Sequence, residues 1–286
     1  MVHSRALRET QVNASKSAAA LLALTAMASP LAAFADRPNQ AASGFQFTLG
    51  AGLVSAPSYL GDDDYQISAF PNLTISYGNT FKASLRGLEY TVFQNGTWSA
   101  GATLGYDMGR EENPDKGPFT ISGDPSTDLV GLGDIDGTIE LGGFVEYQTG
   151  AFAAKLELSK GVDGGHDGLK GAASVKYNGQ FKALNMPVRF SVGPKVTFAD
   201  DAYNSTFFDV SAAQSRASGI SAYDADGGLN SYGLDATFIM PLSETTSLVG
   251  LVQYDRLTGD VGESSIVQER GAQDQFTTGL FLNYKF

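Results

Sequence analysis

The chain has 286 residues, no cysteine, and 31 acidic against 19 basic residues, a formal charge of −12. That balance argues against a nucleic-acid partner, which needs a basic footprint, and the lack of thiols excludes disulfide staples and thiolate metal clusters. Glycine (34), phenylalanine (18) and tyrosine (12) are abundant while only 17% of residues are charged, a balance that suits a β-barrel whose strands hide their apolar residues by alternation.

The N-terminus reads as a secretory signal. Arg5, Arg8 and Lys16 form a basic start, residues 18–28 an apolar stretch too short to span a bilayer, and Ala33-Phe34-Ala35 a small-residue cleavage site. Cleavage between Ala35 and Asp36 removes three basic residues and one acid and leaves a charge of −14. Residues 36–44 then form a short periplasmic segment, and 45–286 the folded body.

Period-2 segments follow one another from there. Phe45, Phe47, Leu49, Ala51 and Leu53 alternate with Gln46, Thr48, Gly50 and Gly52. Residues 65–77 alternate likewise, with Pro71 marking a bulge or a weakly paired position. Further strands are expected at 98–107, 135–147, 152–159, 169–177, 188–198, 231–240, 246–257 (whose inner face is ambiguous) and 276–286. Short connections at 78–80, 95–97, 149–150, 178–187 and 243–245 alternate with long ones near 56–64, 110–133, 161–167, 199–228 and 259–273. In an outer-membrane barrel the short turns face the periplasm, the long loops face outward, and the strand number is even. Residues 80–95 must then supply two short strands, 80–86 and 88–95, broken at Gly87. The expected fold is all-β, a transmembrane antiparallel up-and-down β-barrel of twelve strands, with ten as the alternative.

The last strand carries Leu280, Leu282, Tyr284 and Phe286 on one face, and Thr277, Gly279, Phe281, Asn283 and Lys285 on the other. A greasy face that ends in a terminal aromatic fits a strand closing a membrane barrel, with aromatics at the interface. It also resembles the C-terminal signal that the barrel-assembly machinery reads in bacterial outer-membrane proteins.

The expected inner face carries Lys82, Arg86, Lys155, Lys170, Lys176, Arg189, Lys195 and Lys285 against Glu89, Asp107, Asp134, Asp136, Glu140, Glu146, Glu157 and Asp235. Mixed signs can pair across a narrow barrel and fill it, whereas a wide pore leaves charges solvated and segregated.

Chemistry-bearing motifs are few. His166, in Gly164-Gly165-His166-Asp167-Gly168, invites a hydrolase reading with Ser159 or Ser174, but the glycines outline a turn-like hairpin tip. Asp62-Asp63-Asp64 and Gly133-Asp134-Ile135-Asp136-Gly137 resemble fragments of calcium loops without the full ligand spacing. They read as solvated acidic loops, or as clusters bridged to lipopolysaccharide phosphates through divalent ions. No catalytic, cofactor or metal residue is assigned.

Several segments together resemble the MipA/OmpV family of outer-membrane proteins: residues 59–65 (Tyr-Leu-Gly-Asp-Asp-Asp-Tyr), Leu85-Arg86-Gly87-Leu88, Gly109-Arg110 with Gly131-Leu132-Gly133-Asp134-Ile135-Asp136, residues 222–229, and Asp274-Gln275-Phe276. Residues 113–127 match no family segment. The resemblance implies a barrel of the twelve-strand class in the outer membrane of a Gram-negative cell, in contact with lipid and lipopolysaccharide. It implies a non-enzymatic scaffold that holds a murein lytic transglycosylase near a bifunctional penicillin-binding protein. Other members are described as adhesins or porin-like proteins, so a narrow channel for small polar solutes stays open, with a lipid hydrolase behind it.

Overall fold

Alternation decides the architecture: a strand with one apolar and one polar face must put lipid on one side and a polar interior on the other. The structure, a computed structural model, describes residues 44–286; the signal segment and its cleavage point at Ala35 and Asp36 lie outside the described residues. The strands are β1 (Phe45–Pro57), β2 (Tyr65–Tyr77), β3 (Phe81–Ser84), β4 (Gly87–Gln94), β5 (Trp98–Asp107), β6 (Thr120–Ser122), β7 (Thr138–Thr149), β8 (Phe152–Asp163), β9 (Leu169–Ala183), β10 (Met186–Ala199), β11 (Gly228–Pro241), β12 (Thr246–Leu257) and β13 (Asp274–Lys285). All but β6 form a closed antiparallel barrel of twelve, in which β1 pairs with both β2 and β13. Closure pairs the strand edges all round the ring, save along the upper part of β2.

The outer face is apolar and ends in two aromatic belts. Phe45 against Tyr77, Trp98 against Tyr147, Phe152 against Tyr177, and Tyr284 against Phe286 ring the end with short turns. Tyr65, Tyr106, Tyr232 and the stacked pair Tyr254 and Phe276 mark the end with long loops. Amphipathic rings settle at the two membrane–water interfaces, so the belts bracket the hydrocarbon layer.

Three elements depart from the sequence expectation. The connection at 178–187 shrinks to Leu184 and Asn185, both at positive φ, because β9 and β10 stay paired down to Ala183 and Met186. That is the mirror-image turn geometry that suits a two-residue hairpin. Strand β7 starts at Thr138, so Asp134 and Asp136 are exposed loop residues and not lumen charges. The β3–β4 hairpin turns at Leu85 and Arg86, well below the top of the wall. Above it, the free edge of β2 is covered by β6, which pairs at Ile67 and Ser68, while Ala69 N donates to Phe119 O at 2.7 Å.

The long loops fold into a cap. It contains α1 (Asp201–Phe208), α2 (Ala212–Ser218), α3 (Gly259–Glu263) and α4 (Ser265–Arg270). Asp200 caps α1 through Tyr203 N, and Ser211 and Gln214 make a reciprocal capping box on α2. Two apolar cores hold the cap together. One joins Ala199, Tyr203, Phe207, Phe208, Ala225, Leu257, Val261 and Val267; the other joins Tyr59, Leu129, Leu132, Val210, Ile220 and Ile266. Tyr223 packs against both and donates its hydroxyl to Asp260 O.

Candidate functional site

The interior beneath the cap is the chemically distinctive region. Because residues alternate, every second position of each strand delivers its side chain there. Its lining is part apolar and part charged. On β1, β2 and β11 to β13 the inward residues Val54, Ala56, Phe70, Ile239, Val249 and Phe281 form an apolar cluster. Most of the charge lies on β4, β5 and β7 to β10, with Asp235 and Asp255 added from β11 and β12.

Ion pairs lie in two tiers of the lining. Near the turn end, Lys155 Nζ lies 2.7 Å from Glu157 Oε1 and 3.6 Å from Glu89 Oε2, with its ammonium 4.8 Å from the centre of the Phe144 ring. Glu146 stands in register with Lys155 on the neighbouring strand. Further round the barrel at a similar register, Lys176 pairs with Asp235, and Lys195 Nζ lies 3.3 Å from Asp255 Oδ1. Gln253 donates to the same Asp255 carboxylate. Arg189 shares the inward face of β10 with Ser191 and Lys195. Asp255 escaped the sequence reading because β12 shows apolar residues on both faces. Lys285, by contrast, sits exposed at the end of β13.

The top level sits directly under the cap. Lys170 Nζ lies 2.7 Å from Asp107 Oδ2 and 2.8 Å from Glu140 Oε1. His166, expected at a hairpin tip, is instead buried beside them, with Nε2 3.2 Å from Glu140 Oε1 and its ring edge-on to Tyr203 and Phe207. Its backbone N–H donates to Thr138 Oγ1 at 3.1 Å. The glycine-rich segment reads as a turn, but its glycines serve close packing. Gly164 has φ of +132°, and a β-carbon there would strike Gly137 O; one on Gly168 would strike Tyr203 N of the cap.

The imidazole faces Glu140 and no serine hydroxyl, and Ser159 Oγ turns to Glu140 Oε2 at 3.4 Å. Ser174 sits in register with Lys155 and Lys195, lower on the wall. The arrangement lacks the nucleophile–base hydrogen bond that hydrolysis requires. Asp107, Glu140 and His166 place ligand atoms within 4.8 Å of one another, a spacing open to a metal. The Lys170 ammonium already stands between the two carboxylates and supplies the positive charge that a metal would bring.

Above this level Arg110 is buried and donates from Nη1 to Phe207 O, tying the β5–β7 loop to α1. Burial lowers its guanidinium to about 10 and pushes the Tyr203 hydroxyl above its ordinary range. Glu112 accepts from the backbone N–H groups of Gly131 and Gly133 at 2.7 and 2.9 Å. Asp62, expected in a solvated acidic loop, is fully buried, and that burial pushes its carboxyl up to about 7. The segments that carry the family resemblance, residues 59–65, 109–110, 131–136 and 222–229, meet in this cap.

The family described as MltA-interacting protein MipA matches residues 49–286, nearly the whole barrel. The chain belongs to the MipA family. A relative of this MipA-family barrel, the outer membrane protein Omp26La of Vibrio anguillarum, is 23% identical over 248 residues, covering 84% of this chain and 87% of the relative. An outer membrane channel from Pseudomonas putida covers 88% of this chain and 99% of its own at 12% identity and a TM-score of 0.39. The outer membrane protein OprD of Pseudomonas aeruginosa covers 85% of this chain and 68% of its own at 14% identity and a TM-score of 0.35. Likenesses this distant add nothing to the barrel already described. The MipA-family chain is an outer-membrane β-barrel protein.

Proposed function

We propose that this MipA-family barrel is a closed, non-enzymatic scaffold of the outer membrane, which docks a murein lytic transglycosylase, and through it a penicillin-binding protein, at its periplasmic rim. The family's description as MltA-interacting supports the partner class. The observation that carries the reading is the paired lining beneath a packed cap. Lumen acids and bases pair at each level, and the loops above them pack around two apolar cores. A conduit needs a hydrated path, and lining charges paired to one another beneath a packed cap do not favour one.

A stable protein interface buries about 800 Å² on each partner, which two-residue turns alone do not offer. The β9–β10 hairpin does better. It continues past the start of β8, where Phe152 pairs with Tyr177, through six more residues of β9, and ends on Leu184, which is 85% exposed. An apolar tip thrust beyond the rim is a natural anchor for a periplasmic partner.

The test is capture of a purified lytic transglycosylase by the immobilised barrel in detergent. Wild type should retain the enzyme, and Leu184→Asp should lower retention about tenfold, the loss of one central apolar anchor. A wild-type barrel that retains no transglycosylase contradicts the scaffold reading; equal retention by Leu184→Asp moves the contact elsewhere on the rim.

A further inference from the structure

The first outer loop, residues 58–64, buries an acid against its own chemistry. Asp62 is 0% exposed, and its backbone is clamped in place. Its N–H donates to Tyr59 O at 3.1 Å, its carbonyl accepts from Gln275 Nε2 at 3.1 Å, and it bridges to Gly271 of the last loop. Oδ1 accepts from Asp64 N at 3.1 Å, while Oδ2 is sealed from solvent with no hydrogen-bond partner.

Two more carboxylates approach it. Asp63 follows in the chain and is exposed; Asp128, half-buried, comes from the β5–β7 loop and is oriented by Ser126 Oγ at 3.2 Å. One oxygen from each of the three acids lies within 4.8 Å of the others. Among the described residues no lysine or arginine forms an ion pair with any of them, and the nearby Arg110 spends Nη1 on Phe207 O. Three carboxylates gathered around a buried acid with one unpartnered oxygen make a site that a cation would complete.

We propose that Asp62, Asp63 and Asp128 bind a divalent cation of the calcium class, which ties the 58–64 loop to the β5–β7 loop and locks the cap. The donors are all carboxylate oxygens, as a hard cation prefers. Calcium–oxygen bonds of about 2.3–2.6 Å place opposite ligands roughly 4.6–5.2 Å apart. Magnesium, at about 2.0–2.1 Å, would draw the three acids closer and hold more of its water. The exposed side of Asp63 leaves the remaining coordination positions to water. With three protein carboxylates, the affinity belongs to the class of extracellular calcium modules, about 0.1–1 mM.

The probe is terbium, a calcium substitute excited through tyrosine, with Tyr59 in the same loop. The barrel is extracted from outer membranes in detergent and stripped with a chelator. Wild type should give saturable terbium emission that millimolar calcium displaces. Asp128→Asn and the exposed Asp63→Asn should each weaken binding at least about tenfold, the loss of one of three charged ligands. Asp224→Asn, an exposed acid elsewhere in the cap, should leave binding within about twofold. Heat-modifiable migration of each variant confirms that it is folded, and Asp63→Asn serves if Asp128→Asn is not. Wild-type emission that does not saturate or does not yield to calcium overturns the site, as does equal binding by wild type and both loop variants.

Discussion

Lys170 on β9 reaches past β8 and β7 to Asp107 on β5, closing to 2.7 Å directly beneath the cap. Glu140 completes the bridge at 2.8 Å, so one ammonium neutralises two buried carboxylates. Removing a single partner from such a set leaves uncompensated charge on largely buried carboxylates. Lys170→Met should therefore cost about 3–5 kcal/mol, read as a lower urea midpoint for the refolded barrel in detergent. Combining it with Asp107→Asn and Glu140→Gln should recover much of that loss. If the triple variant is no more stable than Lys170→Met, the penalty does not come from stranded charge.

Gly168 lets the β8–β9 loop touch the first turn of α1. A methyl group there meets Tyr203 N, so Gly168→Ala should lift the cap from the barrel mouth. A loss of about 1–3 kcal/mol in local opening energy speeds cleavage through the open form roughly 5- to 150-fold. Arg216, exposed on α2, supplies a trypsin site inside the cap. Unchanged cleavage at Arg216 would show that the contact does not hold the cap down.

Glu112 gives the cap an acid-sensitive fastening. The amides of Gly133 and Gly131 favour its charged form and hold its carboxyl below the ordinary glutamate value of 4.5. A depressed folded value means that the stabilisation is present above the unfolded value and lost as pH falls through the folded one. The Gly131 and Gly133 amide resonances should therefore hold steady down to about pH 4.5 and shift at lower pH, and Glu112→Gln should abolish that transition. Amides that titrate equally in the variant would assign the change to another acid.

The terminal aromatics invite a separation of stability from assembly. Phe286 is 72% exposed on the outer face, so Phe286→Ala removes no core contact. Its refolded stability should change by less than about 1 kcal/mol. If the row Leu280, Leu282, Tyr284 and Phe286 is what the assembly machinery reads, the amount of folded barrel in the outer membrane should still fall several-fold. An unchanged amount would rule out a signalling role for Phe286.

The barrel was legible because alternation is a local property. The short hairpin at 80–95 could be inferred from strand parity, with Gly87 at its break, and the structure starts β4 at that residue. Strand β12 resisted because Val249 and Leu251 point inward toward the apolar cluster, so both faces look greasy and Asp255 does not stand out. The cap was hidden for a different reason. His166 and Asp62 sit in segments that look like solvated turns, and only contacts distant in sequence, with Tyr203, Glu140 and Gln275, bury them. Local signals did exist for the helices, in Asp200 and in the Ser211–Gln214 capping box, but short helices inside long loops leave no strong periodic trace.

The measurement that tests the closed-barrel account most directly is single-channel conductance of the refolded protein in a planar lipid bilayer. Paired lumen charges under a packed cap predict a heat-modifiable, folded barrel that stays electrically silent. Steady, reproducible openings whose size changes on Lys155→Ala or Glu157→Ala would contradict that account and make the lumen ion pairs a selectivity filter.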